Sequence, residues 1–409
     1  MPQPLKTLIS PVYSSLLVKF LATIRSTYSV LFSVVFLDNL GFATVVPYLF
    51  FYVQYLGGDT LLYGVLLASY SLMSFVFTPL VARLSDRYGR RKILLAALAV
   101  ASFAYFLFGV AQALWLLFLG RMLSGTTAAT VPVAQAYVAD VTTKEQRLRY
   151  LGLLGAAAGL AFIFGPAIGG TLSTWFGYSV PSFLASALAF SNLVSAYFLL
   201  PEPAAFNSKR TVLSFRALLG TIKKRKMALL LSMYFLFFVA FVFLQSALSP
   251  WLQTAFGFGS LQTGLIFFFI GAVSVFTQAV LLPLLGKRFD RPQLAILGII
   301  FFIIGLGILS FVSNLVVLLV VAAVASFGFG IQFVTYNTLI SVNTSEESQG
   351  ATLGVAWAIA GAAQSIAPVL AASVFGFGVS VGFIGLTFFV SALIGTVTVP
   401  LVFWFKRQV

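Results

Sequence analysis

Nine carboxylates serve a chain of 409 residues, and only one of them, Asp38, falls deep inside an apolar run, VLFSVVFLDNLGFATVVPYLFF. An ionisable group at mid-bilayer costs at least ~2.5–3.5 kcal/mol, so Asp38 should face a cavity or a partner rather than hydrocarbon. Low-dielectric surroundings favour the protonated form of an acid, which makes Asp38 the candidate carrier of a proton. The chain has no histidine, so proton exchange near neutral pH must fall to a carboxylate or a lysine. It has no cysteine either, which excludes disulfides and thiolate metal sites. The plainer reading of Asp38 is a neutral, hydrogen-bonded acid that ties helices together.

Arg121 is the matching base, the one cationic residue set away from the basic face described below. With spans drawn at 28–51 and 115–138, Asp38 sits about 15 Å from one membrane face at ~1.5 Å per residue. Arg121 sits about 9 Å from the other face, and in a hydrocarbon core of about 30 Å their depths differ by only ~6 Å. If both helices line a cavity, Arg121 would hold Asp38 ionised, and a proton or a cationic substrate would loosen the pair. Such competition is exchange. The alternative is that Arg121 snorkels outward to the headgroups.

The elements that position these groups follow from composition. With 60% hydrophobic residues, 8% charged residues and a mean hydropathy of +1.06, the chain cannot cover itself with polar surface as a soluble protein must. Apolar runs of span length fall at 28–51, 61–81, 93–112, 115–138, 150–172, 180–200, 227–250, 261–284, 293–312, 315–340, 351–374 and 380–404. The expected fold is an all-α membrane protein, twelve transmembrane helices in two pseudo-symmetric six-helix bundles around a central cavity. Its parts are an N-terminal segment 1–27, a bundle 28–200, a basic linker 201–226 and a second bundle 227–409. In residues 12–25, Val12, Leu16, Leu17, Phe20 and Ile24 recur at helical spacing, with Lys19 and Arg25 in the same stretch, which suits a helix on the membrane surface or an extension of the first span.

Every Lys and Arg but Arg121 then falls on alternate connections or the termini, all on one face. Basic connections stay cytoplasmic, so both termini are expected inside a cell membrane. That placement also accounts for the net charge of +15 without a nucleic-acid partner.

The densest basic stretch, ARLSDRYGRRK at 82–92, places Asp86 and Arg90 four residues apart, able to pair if the turn is helical. Gly89 permits a tight turn there. The stretch recurs in weaker form as LLGKRFDRP, with Asp86-Arg87 answered by Asp290-Arg291 and Arg90 by Leu294. Pro47 is answered by Pro250, and GPAIGG at 165–170 by APVLAA at 367–372. These offsets of 202–204 residues, about half the chain, indicate duplication around a central site.

On these residues the chain resembles the major facilitator superfamily. Ala82, Leu84, Asp86, Arg87, Gly89, Arg90 and Arg91 fit that family's G-x-L-x-D-R-x-G-R-[KR] loop, with the first glycine replaced. Arg121 and Gly125 resemble its R-x-x-x-G element, FLDNLGFATVVP resembles the first span of drug and tetracycline antiporters, and Gly165, Pro166, Gly169 and Gly170 resemble an antiporter signature. The resemblance implies that Asp86 and Arg90 join Asp140, at the inner end of the fourth span, in a latch that holds the inner gate while the outer side is open. The missing arginine in the second copy implies asymmetric gating. The resemblance also implies proton-coupled export of lipophilic or cationic small molecules by alternating access, with protons as coupling ion, no cofactor, no metal and a monomeric carrier in the bilayer.

Gln245, Gln332, Tyr336 and Asn337 stand where the family contacts substrate, and each is either that or an inter-helix hydrogen bond. Gly155/Gly159 and Gly165/Gly169 offer small faces for close helix packing, with a bend at Pro166. The runs YFLFFVAFVF and IFFFIGAVSVF are expected mostly to face lipid. A rival reading on the same fold is an uptake symporter or facilitator for a sugar or organic ion, for which the polar lining is sparse. An intramembrane enzyme is disfavoured by the lack of HExxH, GxSxG or paired intramembrane aspartates.

Overall fold

A computed structural model describes residues 27–203, 225–344 and 349–406. The surface helix expected at 12–25 and most of the basic linker lie outside them. Fourteen α-helices form twelve spans among the described residues. The first half comprises α1 (Thr27–Tyr55), α2 (Thr60–Tyr88), α3 (Arg90–Gly109), α4 (Leu114–Thr126), α5 (Thr130–Val141), α6 (Lys144–Phe176) and α7 (Ser179–Leu199). The second comprises α8 (Arg225–Phe256), α9 (Ser260–Phe276), α10 (Leu282–Leu285), α11 (Arg291–Leu309), α12 (Leu315–Val342), α13 (Gln349–Ser380) and α14 (Leu386–Lys406). Helices α4 and α5 share one span, broken at Thr127–Ala129, and a π-helical turn, Thr277–Leu281, joins α9 to α10.

The spans overrun their expected limits because helix continues past the hydrocarbon. The stretch at 82–92 is no loop: only Gly89, at φ +107°, interrupts helix there. At Asp290 the second copy spends its acid on a capping box with Gln293, while Leu294 is buried.

The apolar core is divided as the duplication suggests. Two clusters of buried side chains draw only on residues 30–200, and three draw only on residues 227–405. The run YFLFFVAFVF corrects the lipid-facing expectation. Tyr234, Phe237, Phe238 and Phe243 are buried in the second bundle, with Phe237 and Phe329 stacked at 5.5 Å. Phe276, from the other run, is 53% exposed.

The halves meet along two pseudo-equivalent seams, α2 with α13 and α6 with α9. A Cβ on Gly264 would stand 2.4 Å from the Pro166 carbonyl oxygen, and one on Gly64 would stand 2.7 Å from that of Pro368. Gly64 and Gly264, in LLYG and LQTG, share an offset of 200 that was open to reading in the sequence. Both contacts lie toward the end that carries no basic residues, the far end. There Gln253 also donates to Gln54 at 2.8 Å.

Toward the basic end the α6–α9 seam opens. Gly271 approaches the Phe162 carbonyl at 3.0 Å, Gly159 approaches Val275 at 3.6 Å, and Gly155 and Gly152 meet nothing within 4 Å. Of the small face expected at Gly155/Gly159, Gly159 keeps ordinary contact with Val275 and Gly155 is unpacked in this state. The α6–α9 seam is closed at the far end and open at the basic end. Because the natural chain lacks cysteine, a Gln54→Cys/Gln253→Cys pair tests this directly. A short bis-methanethiosulfonate should join the pair through two mixed disulfides, read as a cross-linked species on mass analysis, and reduction should release it.

Candidate functional site

The site is built on Gly125. A Cβ there would stand 2.5 Å from the Tyr70 carbonyl oxygen, so only glycine lets α4 lie directly on the backbone of α2. One turn earlier on the same face of α4, Arg121 is carried over the Tyr70 ring at 4.4 Å and lies 5.2 Å from the centre of Phe42. Tyr70 and Phe42 themselves pack at 5.0 Å. Cation–π contacts of this kind contribute roughly 0.5–2 kcal/mol each, more when water is excluded. Arg121 is 3% exposed, so it does not reach out to a membrane face.

Asp38 lies one turn before Phe42 on α1, about 6 Å along the axis. The residue is half-buried. Tyr70 and Tyr105 lie within electrostatic range of both Asp38 and Arg121. The Tyr105 ring reaches α1 at Gly41, where an added Cβ would meet it at 3.2 Å. Four helices thus converge on one acid and one base.

The ion pair expected between them is absent. Among the described residues no carboxylate lies within 4 Å of Arg121, and its buried Nε has no hydrogen-bond partner. The physical reason is the turn of helix between the two groups, which aromatic rings fill. Tyr70, Tyr105 and Phe42 were not legible as site residues, because an aromatic in an apolar run gives no signal of which face it occupies.

At the basic end, Arg90 gathers the polar cluster. It meets Asp86 at 2.5 Å and Asp140 at 3.0 Å, and donates to Ser85 Oγ at 2.6 Å. All of these belong to the first bundle, and the cluster is intact with the far end closed. Arg87 lies over the neighbouring Tyr88 ring at 5.3 Å.

Arg91 donates to the Tyr197 carbonyl at 2.6 Å, and its backbone N–H donates to Glu202 Oε1 at 3.2 Å. The same Glu202 oxygen stands 2.6 Å from where a Cβ on Gly89 would be, and Tyr137 donates its hydroxyl to the Pro201 carbonyl. The start of the linker is thereby pinned to the α2–α3 corner, a role for Glu202 that the sequence did not show. Replacing Arg90 by Ala strips charged hydrogen bonds worth roughly 1.5–3 kcal/mol each. The expected result is a clear drop in Tm of the purified protein, whereas Arg87→Ala, which among the described residues loses a ring contact and no ion pair, should leave it within about 0.5 kcal/mol of wild type.

The GPAIGG segment divides its residues between two neighbours. Gly165 and Gly169 face α1, where added Cβ atoms would stand 2.6 Å from Ala43 Cβ and 1.9 Å from the Thr44 carbonyl oxygen. Pro166 and Gly170 face α9, where Gly170 would meet the Ser260 carbonyl oxygen at 2.4 Å. Of the four polar residues proposed as contacts, Gln245 and Asn337 are half-buried, and Asn337 accepts from Tyr234 at 3.4 Å. Tyr336 and Gln332 are not exposed to a cavity. Tyr336 is fully buried against Phe237, and Gln332 packs on α11 at Gly298. A separate cavity of about 700 Å³ opens at the basic end of the second bundle, beside Gln278, Asp290, Arg291 and Thr335.

No metal-binding cluster of three or more acids occurs among the described residues. The arrangement offers an acid and a base in a ring-lined wall, suited to binding and releasing rather than to breaking bonds. The sequence profile of the Major Facilitator Superfamily matches residues 31–368. The chain belongs to that superfamily. Its members are membrane transporters, not enzymes.

The chain is 32% identical over 334 residues to the class D tetracycline resistance protein of Salmonella ordonez, covering 76% of this chain and 79% of that one. It is 30% identical to the class C tetracycline resistance protein of Escherichia coli, over 83% of this chain and 86% of that one. It is 30% identical to multidrug resistance protein 2 of Bacillus subtilis (strain 168), over 53% and 54%. Among solved structures, a bacterial homologue of the human lysosomal transporter Spinster, inward-facing and occupied, superposes with a TM-score of 0.78 at 13% identity, over 95% of this chain and 97% of that one. The human organic anion transporter MFSD10 gives 0.68 at 20%, over 92% and 98%. These two likenesses concern the fold.

Proposed function

We propose that this facilitator-superfamily carrier exports lipophilic aromatic small molecules in exchange for protons, with Asp38 as the proton carrier. The observation that carries this reading is half-buried Asp38 at mid-span, one helical turn from Phe42, where Arg121 lies against rings with no carboxylate within 4 Å among the described residues, in a fold whose α6–α9 seam is open at one end. An acid in such a place can exchange its proton with either side as the seams open in turn. The relatives named for tetracycline and multidrug resistance supply the direction and the substrate class. The basic end is the cytoplasmic one, with both termini there, since basic connections are retained on that side of a cell membrane. The working unit is a monomer with no cofactor, and alternate sealing of the two seams moves the site from one face to the other.

The test is transport of a lipophilic dye in proteoliposomes with and without an imposed pH gradient. Export requires dye movement opposite to the proton gradient, with protons released on the substrate side. Sugar uptake without proton movement, and no response of dye flux to the gradient, would replace this reading with a facilitator.

A further inference from the structure

At matching corners of the two halves, one holds a charge cluster and the other a cavity. In the first bundle Arg90, 5% exposed, fills the corner where α2, α3 and α5 meet, held by Asp86, Asp140 and Ser85. At offsets of 203–204 the second bundle carries Asp290 for Asp86, Leu294 for Arg90 and Asn343 for Asp140. These three, with Arg291, line the cavity of about 700 Å³ at the basic end. The arginine and one of its acids are thus replaced by neutral side chains. The remaining acid caps α11, where the Gln293 N–H donates to it at 2.7 Å.

The cavity is apolar within and basic at its mouth. Along α12 its wall runs from Val334 to Val342, about 12 Å at 1.5 Å per residue, and Leu282, Pro283 and buried Phe405 line the same space. At the mouth, among the described residues, Arg291 has no carboxylate within 4 Å, and the exposed Lys287 and Arg288 precede it. Such a mouth repels a cation. A soluble anion would leave the apolar wall uncovered, whereas an anion joined to a hydrocarbon chain covers it and meets the charge.

We infer that the cavity seats an anionic phospholipid from the leaflet at the basic end. Its phosphate meets Arg291 and Asn343, and an acyl chain lies along Leu282, Leu339 and Val342. Basic pockets between helices near a membrane face suit such headgroups, and arginine can grip a phosphate through two parallel N–H bonds. The lipid then ties α11 to α10 and α12, as Arg90 ties α3 to α2 and α5. This goes beyond the export reading and does not rest on it.

The experiment uses the purified full-length protein in phosphatidylcholine nanodiscs with a trace of phosphatidylglycerol that carries a photoactivatable diazirine in one acyl chain. Illumination and peptide mass analysis should place the label in residues 282–294 and 334–343. Labelling there should halve once unlabelled phosphatidylglycerol makes up about a tenth of the lipid, which is a roughly ten-fold preference over the host. Labelling around Val320, 59% exposed on α12, should not fall. Leu294→Arg/Asn343→Asp rebuilds the first bundle's set at unchanged net charge, and Thr338→Phe fills the cavity without charge. Each should reduce labelling of the two segments about ten-fold. Arg291→Gln should keep the labelling and remove the preference.

Labelling that is uniform over the exposed helices, with no fall at a tenth phosphatidylglycerol, overturns the inference. The wild-type protein decides this even if no variant folds. Undiminished labelling of both segments in folded Thr338→Phe overturns it too. Displacement of the label by inorganic phosphate or by a lipophilic dye would give the cavity a different occupant and equally remove the lipid.

Discussion

Asp38→Asn is expected to reduce gradient-driven transport by about ten-fold or more while leaving gradient-free exchange of labelled for unlabelled substrate measurable. Asparagine keeps the size and hydrogen-bonding capacity of the side chain and removes only its ability to gain and lose a proton. Because no ion pair joins Asp38 to Arg121, the substitution leaves no newly orphaned charge. The Tm should therefore move by no more than the equivalent of about 1 kcal/mol. Breaking a buried pair would cost roughly 3–5 kcal/mol, so the stability measurement also separates the two arrangements of the site. Undiminished coupling to the gradient would make Asp38 a structural acid and remove the exchange scheme, though not the carrier fold.

Gly169→Ala should be the most damaging methyl group that can be added to this chain's antiporter-type segment. Its Cβ would stand 1.9 Å from the Thr44 carbonyl oxygen. That oxygen belongs to the backbone of a long helix and cannot rotate aside as a side chain would. Overpacking typically costs about 1–3 kcal/mol, and here the relief must come from separating α6 from α1. The expected outcome is a fall in Tm and loss of transport.

Gly155→Ala on the same helix meets nothing within 4 Å, so it should leave Tm unchanged in the state open at the basic end. Gly155→Leu goes further, because the basic end of the α6–α9 seam must close during the cycle. It should hold the carrier open there, read as reduced transport at unchanged Tm. Equal tolerance of Ala at 155 and 169 would mean that α6 does not pack on α1 as described.

The number of spans, the grouping of the basic connections and the duplication were legible in the chain before any fold was known. Each of these follows from one-dimensional quantities: run length against bilayer thickness, charge against alternation, and recurrence at an offset. The sequence also isolated Asp38 and Arg121, because an ionisable group in an apolar run stands out wherever the helix faces. Rotation about each helix axis was decided only by tertiary structure. In water an apolar stripe marks the buried side, but in a bilayer the side facing lipid and the side facing protein are both apolar. Tyr336 and Gln332 therefore turned into packed interior, Phe237, Phe238 and Phe243 into core rather than lipid, and Arg121 onto rings rather than onto Asp38. Which glycine of GPAIGG meets which helix was settled in the same way, by backbones approaching until nothing larger than hydrogen fits between them.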